Sequence, residues 1–217
     1  TGWVDVDLTE NGKLEAEKAG YLIKDRNVKI DFYYSSLQLR ANNTLKIIQK
    51  ILKENKNYKA AWQLNERHYG VLTGLNKLEM SKKMGAEKVH QFRRSWDIKP
   101  DPLNKESPYH PLNISTYKEI SKKVIPDTES LKDTYERVIK YFEEEIKKNL
   151  INNNILISAH GNSIRAMCKY LFGLDNNEIS NLEIPTGNPL IIELNKELKI
   201  KSCEYLDKGR AKNLVVF

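Results

Sequence analysis

An α/β sandwich, a mostly parallel sheet flanked by helices on both sides, is the fold this sequence predicts. Three observations predict it. Stretches of strand and helix character alternate along the chain, no internal repeat interrupts them, and the apolar strand-like runs are short. At 217 residues the chain is long enough to bury a full core, so residues 1–217 are read as a single domain.

Each element has its own reason. Thr9 is placed to cap a helix through Asp25, with Leu14, Ala19, Leu22 and Ile23 approximating one apolar face. Ile30 to Ser35 is rich in aromatic residues and reads as a strand. A second helix spans about Leu37 to Lys53, with Leu45, Ile48, Ile51 and Leu52 turned inward. Ala60 to Leu64 is a short extended stretch. Asn76 to Trp96 is polar and helical, broken near Gly85. The five prolines between Asp97 and Thr128 predict a long loop, and such loops are usually functional. A helix follows from about Ser130 to Lys148, with Leu131, Tyr135, Val138, Ile139 and Phe142 inward. Ile155 to Ala159 is a short buried strand, Asn162 to Leu171 a helix, and Pro189–Leu194 with Leu198–Tyr205 a terminal hairpin.

Composition narrows the function classes. Apolar content of 40% and charged content of 30% are ordinary for a globular protein. The net charge of +7 permits nucleic acid, an acidic membrane or a small polyanion as partner. Much of it lies in dispersed lysines such as Lys46, Lys50, Lys53 and Lys56, which form a solvated helix face. No nucleic-acid-binding signature accompanies them, and no apolar run approaches a membrane span. Cys168 and Cys203 show no metal-ligand spacing and read as reduced thiols in a cytoplasmic protein.

Three polar clusters carry the chemistry. Leu64-Asn65-Glu66-Arg67-His68-Tyr69-Gly70 sets a carboxylate, a guanidinium, an imidazole and a phenol side by side. A packing segment does not spend consecutive positions on groups so costly to bury, although an exposed loop can. Ala159-His160-Gly161-Asn162-Ser163 follows the run Ile155-Leu156-Ile157 and opens a helix. That places an imidazole at a strand end beside unpaired N–H groups, an anion site in open α/β sheets. The same residues would also serve as a plain helix cap. Arg93-Arg94 adds paired positive charge, which on its own is compatible with an exposed helix face. His90 and His110 read as surface residues. An acid, an imidazole and several fixed cations together make a kit for moving a phosphoryl group.

These segments resemble the cofactor-dependent phosphoglycerate mutases of the histidine phosphatase superfamily. The likeness runs through Thr1-Gly2-Trp3, Leu8-Thr9-Glu10-Asn11-Gly12, Ser36-Leu37-Gln38-Leu39-Arg40-Ala41 and the Glu66 cluster. It continues through Gly74-Leu75-Asn76-Lys77, Phe92-Arg93-Arg94-Ser95, Glu129-Ser130-Leu131, Ala159-His160-Gly161-Asn162-Ser163 and Ile184-Pro185-Thr186-Gly187. The resemblance implies interconversion of 2- and 3-phosphoglycerate through a phosphohistidine enzyme primed by 2,3-bisphosphoglycerate, with no metal. It implies Glu66 as proton donor and acceptor, and His160 as the second active-site histidine. Arg40 becomes a phosphoryl contact. Arg67, His68, Tyr69, Lys77, Arg93 and Arg94 become binders of the substrate's carboxylate and distal phosphate. Thr1, Gly2, Gly161 and Asn162 become ligand contacts. A homodimer or homotetramer is implied, with small phosphorylated three-carbon acids as partners and neither nucleic acid nor membrane.

The chain also departs from the pattern. The family opens on an apolar strand ending in Arg-His-Gly, whose histidine is the nucleophile, and no Arg-His-Gly occurs here. The four histidines are His68, His90, His110 and His160, none of them after an N-terminal apolar strand. The expectation is therefore a sheet lacking its central first strand. Asn188 replaces an apolar residue, and Asn213 to Phe217 does not resemble the family's tail. A bisphosphoglycerate mutase shares the same motifs. A polyanion-binding pseudoenzyme is the alternative from another class, and a nucleic-acid binder a distant third.

Overall fold

The structure is a computed structural model that describes residues 1–75, 82 and 84–211, with the backbone alone at 86 and 90. Helix α1 (Glu10–Asp25) begins as the sequence predicts, with the Gly12 N–H donating to Thr9 Oγ1 at 3.1 Å. Its buried stripe differs from the expected one. Leu14 is 63% exposed, and Ala16, Ala19 and Gly20 face inward instead. The reason is close packing on α2 (Leu39–Leu52), since a Cβ on Gly20 would lie 2.7 Å from Ile51 Cδ1. Small residues let two helix backbones approach where leucine would hold them apart.

Strand β1 (Phe32–Ser36) lies between β2 (Tyr58–Ala61) and β3 (Ile155–Ser158), both parallel to it. Tyr33 stands opposite Tyr58 on one side and Leu156 on the other. Successive side chains of a strand point to opposite faces. Accordingly Tyr33 joins Ile30 and Leu45 under α2, whereas Tyr34 joins Val138, Phe142, Ile146 and Ala166 on the opposite face. That second layer is α4 (Leu131–Tyr141), extended by a π turn (Phe142–Ile146) and a 3₁₀ turn (Lys147–Asn149), together with α5 (Gly161–Phe172). Helix α3 (Ala86–Arg94) packs Val89 and Phe92 against Leu72. The expected helix from Asn76 falls partly outside the described residues.

The terminal hairpin forms as β4 (Leu190–Leu194) and β5 (Ile200–Tyr205), antiparallel to each other. A short helix, α6 (Asn176–Asn181), which the sequence pattern did not indicate, links it to α5. Among the described residues β3 pairs with β1 alone and β4 with β5 alone. Their apolar residues Ile155, Leu156, Ile157, Leu190, Ile191 and Ile192 remain half-buried, so the strand expected at 155–159 forms over Ile155–Ser158 but is less buried than expected. Cys168 on α5 packs with Leu131, Leu174, Ile179 and Leu182. Cys203 on β5 is also buried, and burial pushes the two thiols up to about 12 and about 11.

The Asp97–Thr128 loop is as irregular as its prolines dictate, apart from short 3₁₀ turns. It holds one surprise. His110 is fully buried, contrary to its reading as a surface residue. Its Nδ1 accepts from the Leu112 N–H at 3.2 Å and its Nε2 lies 3.0 Å from Asp127 Oδ1. These bonds satisfy both ring nitrogens, which is what permits burial. The side chain of His90 lies outside the described residues.

Candidate active site

The polar clusters meet at the carboxyl ends of β1, β2 and β3. Beyond β1, Ser36 Oγ sits 2.8 Å from His160 Nε2, beyond the end of β3. The His160 N–H donates to Ser163 Oγ at 3.0 Å, which fixes the turn into α5. Burial, then the charges of Arg40 and Arg137, hold the imidazole well below its usual range, so His160 is neutral at neutral pH.

Glu66 lies at the centre. Its Oε1 accepts from its neighbour's main chain, the Arg67 N–H, at 2.7 Å and from Asn162 Nδ2 at 2.7 Å. Its Oε2 lies toward Gly161, where an added Cβ would come to 3.9 Å. Asn162 Nδ2 also donates to the Tyr69 hydroxyl at 2.9 Å. The Arg67 guanidinium lies 4.7 Å from the centroid of the Tyr69 ring and donates to the Phe92 carbonyl at 2.7 Å. Arg67 is fully buried, and its Nε and second terminal nitrogen meet no acceptor among the described residues. A buried guanidinium with unpaired donors is costly unless an anion completes it.

Gly2 closes the site from the N-terminal loop. Its φ of +53° is a left-handed conformation, and a Cβ there would lie 3.1 Å from both the Arg67 carbonyl and the Tyr69 ring. Arg40 holds that loop, donating to the carbonyls of Val4 at 3.0 Å and Gly2 at 2.8 Å. Thr1 is exposed, yet its α-amino group feels the charges of Arg40, Glu66 and Arg93. Arg93 is exposed and Arg94 half-exposed, the latter paired with Glu183.

One sequence-nominated residue falls elsewhere. The His68 ring turns into the interior, 6.4 Å from the Trp3 ring and 6.1 Å from that of His110, and its Nδ1 accepts from the Gly70 N–H at 3.0 Å. Burial pushes its pKa down to about 3. Lys77 lies outside the described residues.

Three residues of the site's framework escaped the sequence reading. Gln38, fully buried, donates to the Gly2 carbonyl at 2.9 Å and accepts from the Glu66 N–H at 3.0 Å and from Arg40 at 3.1 Å. Arg137 on α4 donates to the carbonyls of Gln63, Asn65 and Glu66 at 2.6, 3.0 and 3.0 Å, and makes a two-pronged pair with buried Glu129 at 2.6 and 2.9 Å. Glu129 in turn accepts from the His68 N–H at 2.8 Å. Arg165 on α5 donates to Asn162 Oδ1 at 2.9 Å. Its spacing of three from Asn162 is the helical signal that would have found it.

The chain matches the model of the histidine phosphatase superfamily (branch 1) over residues 1–113 and 109–200. A 2,3-bisphosphoglycerate-dependent phosphoglycerate mutase of Pelagibacter ubique is 66% identical over 218 residues, covering 100% of this chain and 92% of the relative. Enzymes of the same name from Xylella fastidiosa and Borreliella burgdorferi are 46% and 44% identical, covering 95% and 98% of this chain and 84% and 87% of theirs. In solved structures the fold recurs in a mycobacterial glucosyl-3-phosphoglycerate phosphatase complexed with VO3, with a TM-score of 0.68 at 18% identity, covering 94% of this chain and 88% of that one. It recurs too in the α-ribazole phosphatase of Shigella flexneri, with a TM-score of 0.64 at 18% identity, covering 92% and 86%. The motifs, the parallel sheet with its polar carboxyl edge and the extent of these matches lead to one conclusion: the chain belongs to the histidine phosphatase superfamily, in the family of the 2,3-bisphosphoglycerate-dependent phosphoglycerate mutases.

Proposed function

We propose that this chain supplies the substrate-binding and acid–base machinery for interconverting 2- and 3-phosphoglycerate through a phosphohistidine enzyme primed by 2,3-bisphosphoglycerate. The observation that carries this reading is the state of Glu66: one carboxylate oxygen is pinned by two donors and the other is left toward Gly161. A carboxylate so held can take the proton of a substrate hydroxyl and return it. The unpaired donors of buried Arg67, with Arg40 nearby, suit a small polyanion. The primer, when bound, supplies the phosphoryl group. His160 would donate a hydrogen bond to a phosphoryl oxygen, and the guanidiniums would balance the charge that develops there, so no metal is called for. Residues 1–217 would act as one domain of a cytoplasmic homodimer or homotetramer, and light scattering of the purified protein tests that assembly.

The experiment is Glu66→Gln in the chain joined to an N-terminal Arg-His-Gly strand. Mutase turnover should fall by about 10²–10⁴-fold. Phosphorylation of the protein by labelled 2,3-bisphosphoglycerate should persist, because that step needs no proton shuttle from Glu66. Unchanged turnover would exclude the role.

Arg93→Ala and Arg94→Ala are expected to act on binding. Losing one charge-assisted bond to a carboxylate or phosphate should raise KM about tenfold or more with a smaller change in kcat. A KM that stays fixed at moderate salt would return the pair to the solvated surface.

A further inference from the structure

Asn162 stands between two groups of opposite hydrogen-bonding character. On one side Arg165 offers only donors. On the other, the Glu66 carboxylate presents its acceptor oxygen Oε1. An amide placed between them has one satisfactory orientation: Oδ1 toward Arg165 at 2.9 Å, Nδ2 toward Glu66 Oε1 at 2.7 Å and the Tyr69 hydroxyl at 2.9 Å. Turned by 180°, the amide would set its oxygen against a carboxylate and its NH₂ against a guanidinium.

We propose that Arg165 is a positioning residue for the acid–base step: it locks the amide of Asn162, which in turn fixes Glu66 Oε1 and leaves Oε2 to exchange the substrate proton. The inference rests on the acid–base role proposed for Glu66.

The surroundings support a positioning role. Arg165 is 5% exposed and is itself fixed, because its other terminal nitrogen donates to the Ile179 carbonyl in α6. Burial, with the charges of Arg67 and Arg94, pushes its pKa down to about 10, so it stays charged at neutral pH. The lock is therefore permanent across the working range. Its donation to Asn162 also obliges the Tyr69 hydroxyl to accept from Nδ2, which frees the phenolic proton to point elsewhere.

The effect on Glu66 is geometric. Loss of the lock frees the Asn162 amide to turn, so Glu66 Oε1 loses an oriented donor and Oε2 is no longer held for proton exchange.

The test uses the chain extended by an N-terminal strand bearing Arg-His-Gly, as in the Glu66→Gln experiment. Arg165→Met should lower kcat about tenfold, with KM for 3-phosphoglycerate within about twofold. Arg165→Lys, which keeps a donor and a charge, should recover most of the loss. In an Asn162→Ala background, Arg165→Met should lower kcat no further, because the coupling runs through the amide. Unchanged kcat in Arg165→Met overturns the proposal, whatever happens to thermal stability. An equal loss of kcat in the Asn162→Ala background overturns it too, since Arg165 would then act by its charge alone. A large rise in KM with kcat unchanged assigns Arg165 to substrate binding and overturns it likewise. Full activity in Glu66→Gln would instead remove the acid–base reading beneath it.

Discussion

The 217 residues on their own are expected to interconvert phosphoglycerates no faster than buffer. Of the imidazoles described, His68 and His110 are buried and engaged away from the site, and His160 is held against Ser36 beyond the end of β3. A two-step transfer with no nucleophile forms no covalent intermediate, which costs about 10³-fold or more. The sheet points the same way, because β3 and β4 each pair on one side alone among the described residues and keep apolar side chains half-buried. A strand bearing Arg-His-Gly, fused ahead of Thr1, should restore turnover and raise the unfolding temperature together. Activity assays and thermal scans of the two proteins, side by side, settle it. Robust turnover by the shorter chain would mean that the nucleophile lies among the histidines already present.

The second large effect is expected at Arg137, far less conspicuous in the sequence. Arg137→Met should cost about 3–5 kcal/mol, because it leaves the Glu129 carboxylate buried without its partner. It also strips donors from the Gln63, Asn65 and Glu66 carbonyls, which loosens the loop that carries the Glu66 carboxylate. Urea unfolding of the strand-extended protein measures it. Replacing both partners, Arg137→Met with Glu129→Leu, should recover part of the loss, since no lone charge then remains inside. A change below about 1 kcal/mol in the single variant would show the pair to be solvated.

What the sequence revealed and what it hid follow one physical division. Glu66, Arg67, Tyr69, His160 and Asn162 sit where strands and turns end, and polar clusters at such places have no packing explanation. They were therefore visible. Gln38, Arg137 and Arg165 occupy helices or their entries, where a polar residue normally faces water. Only the layers packed over them make them interior, and that is a property of tertiary structure. Leu14 failed for the converse reason, because Gly20 and two alanines made the closer fit to Ile51. His110 was hidden by its loop, where burial depends on Asp127 arriving from seventeen residues away.

The two buried thiols make the molecule its own stopwatch. Cys168 belongs to α5 and Cys203 to β5, so each is shielded by the seam between the terminal hairpin and the layer beneath it. Reaction requires thiolate, and both groups resist ionisation while that seam is shut. An alkylating reagent should therefore modify the folded protein at the rate at which the hairpin lifts away, not at the rate of the thiol chemistry. The labelling rate, followed as ligand is added, would report how firmly a filled active site holds the hairpin down on the layer beneath it.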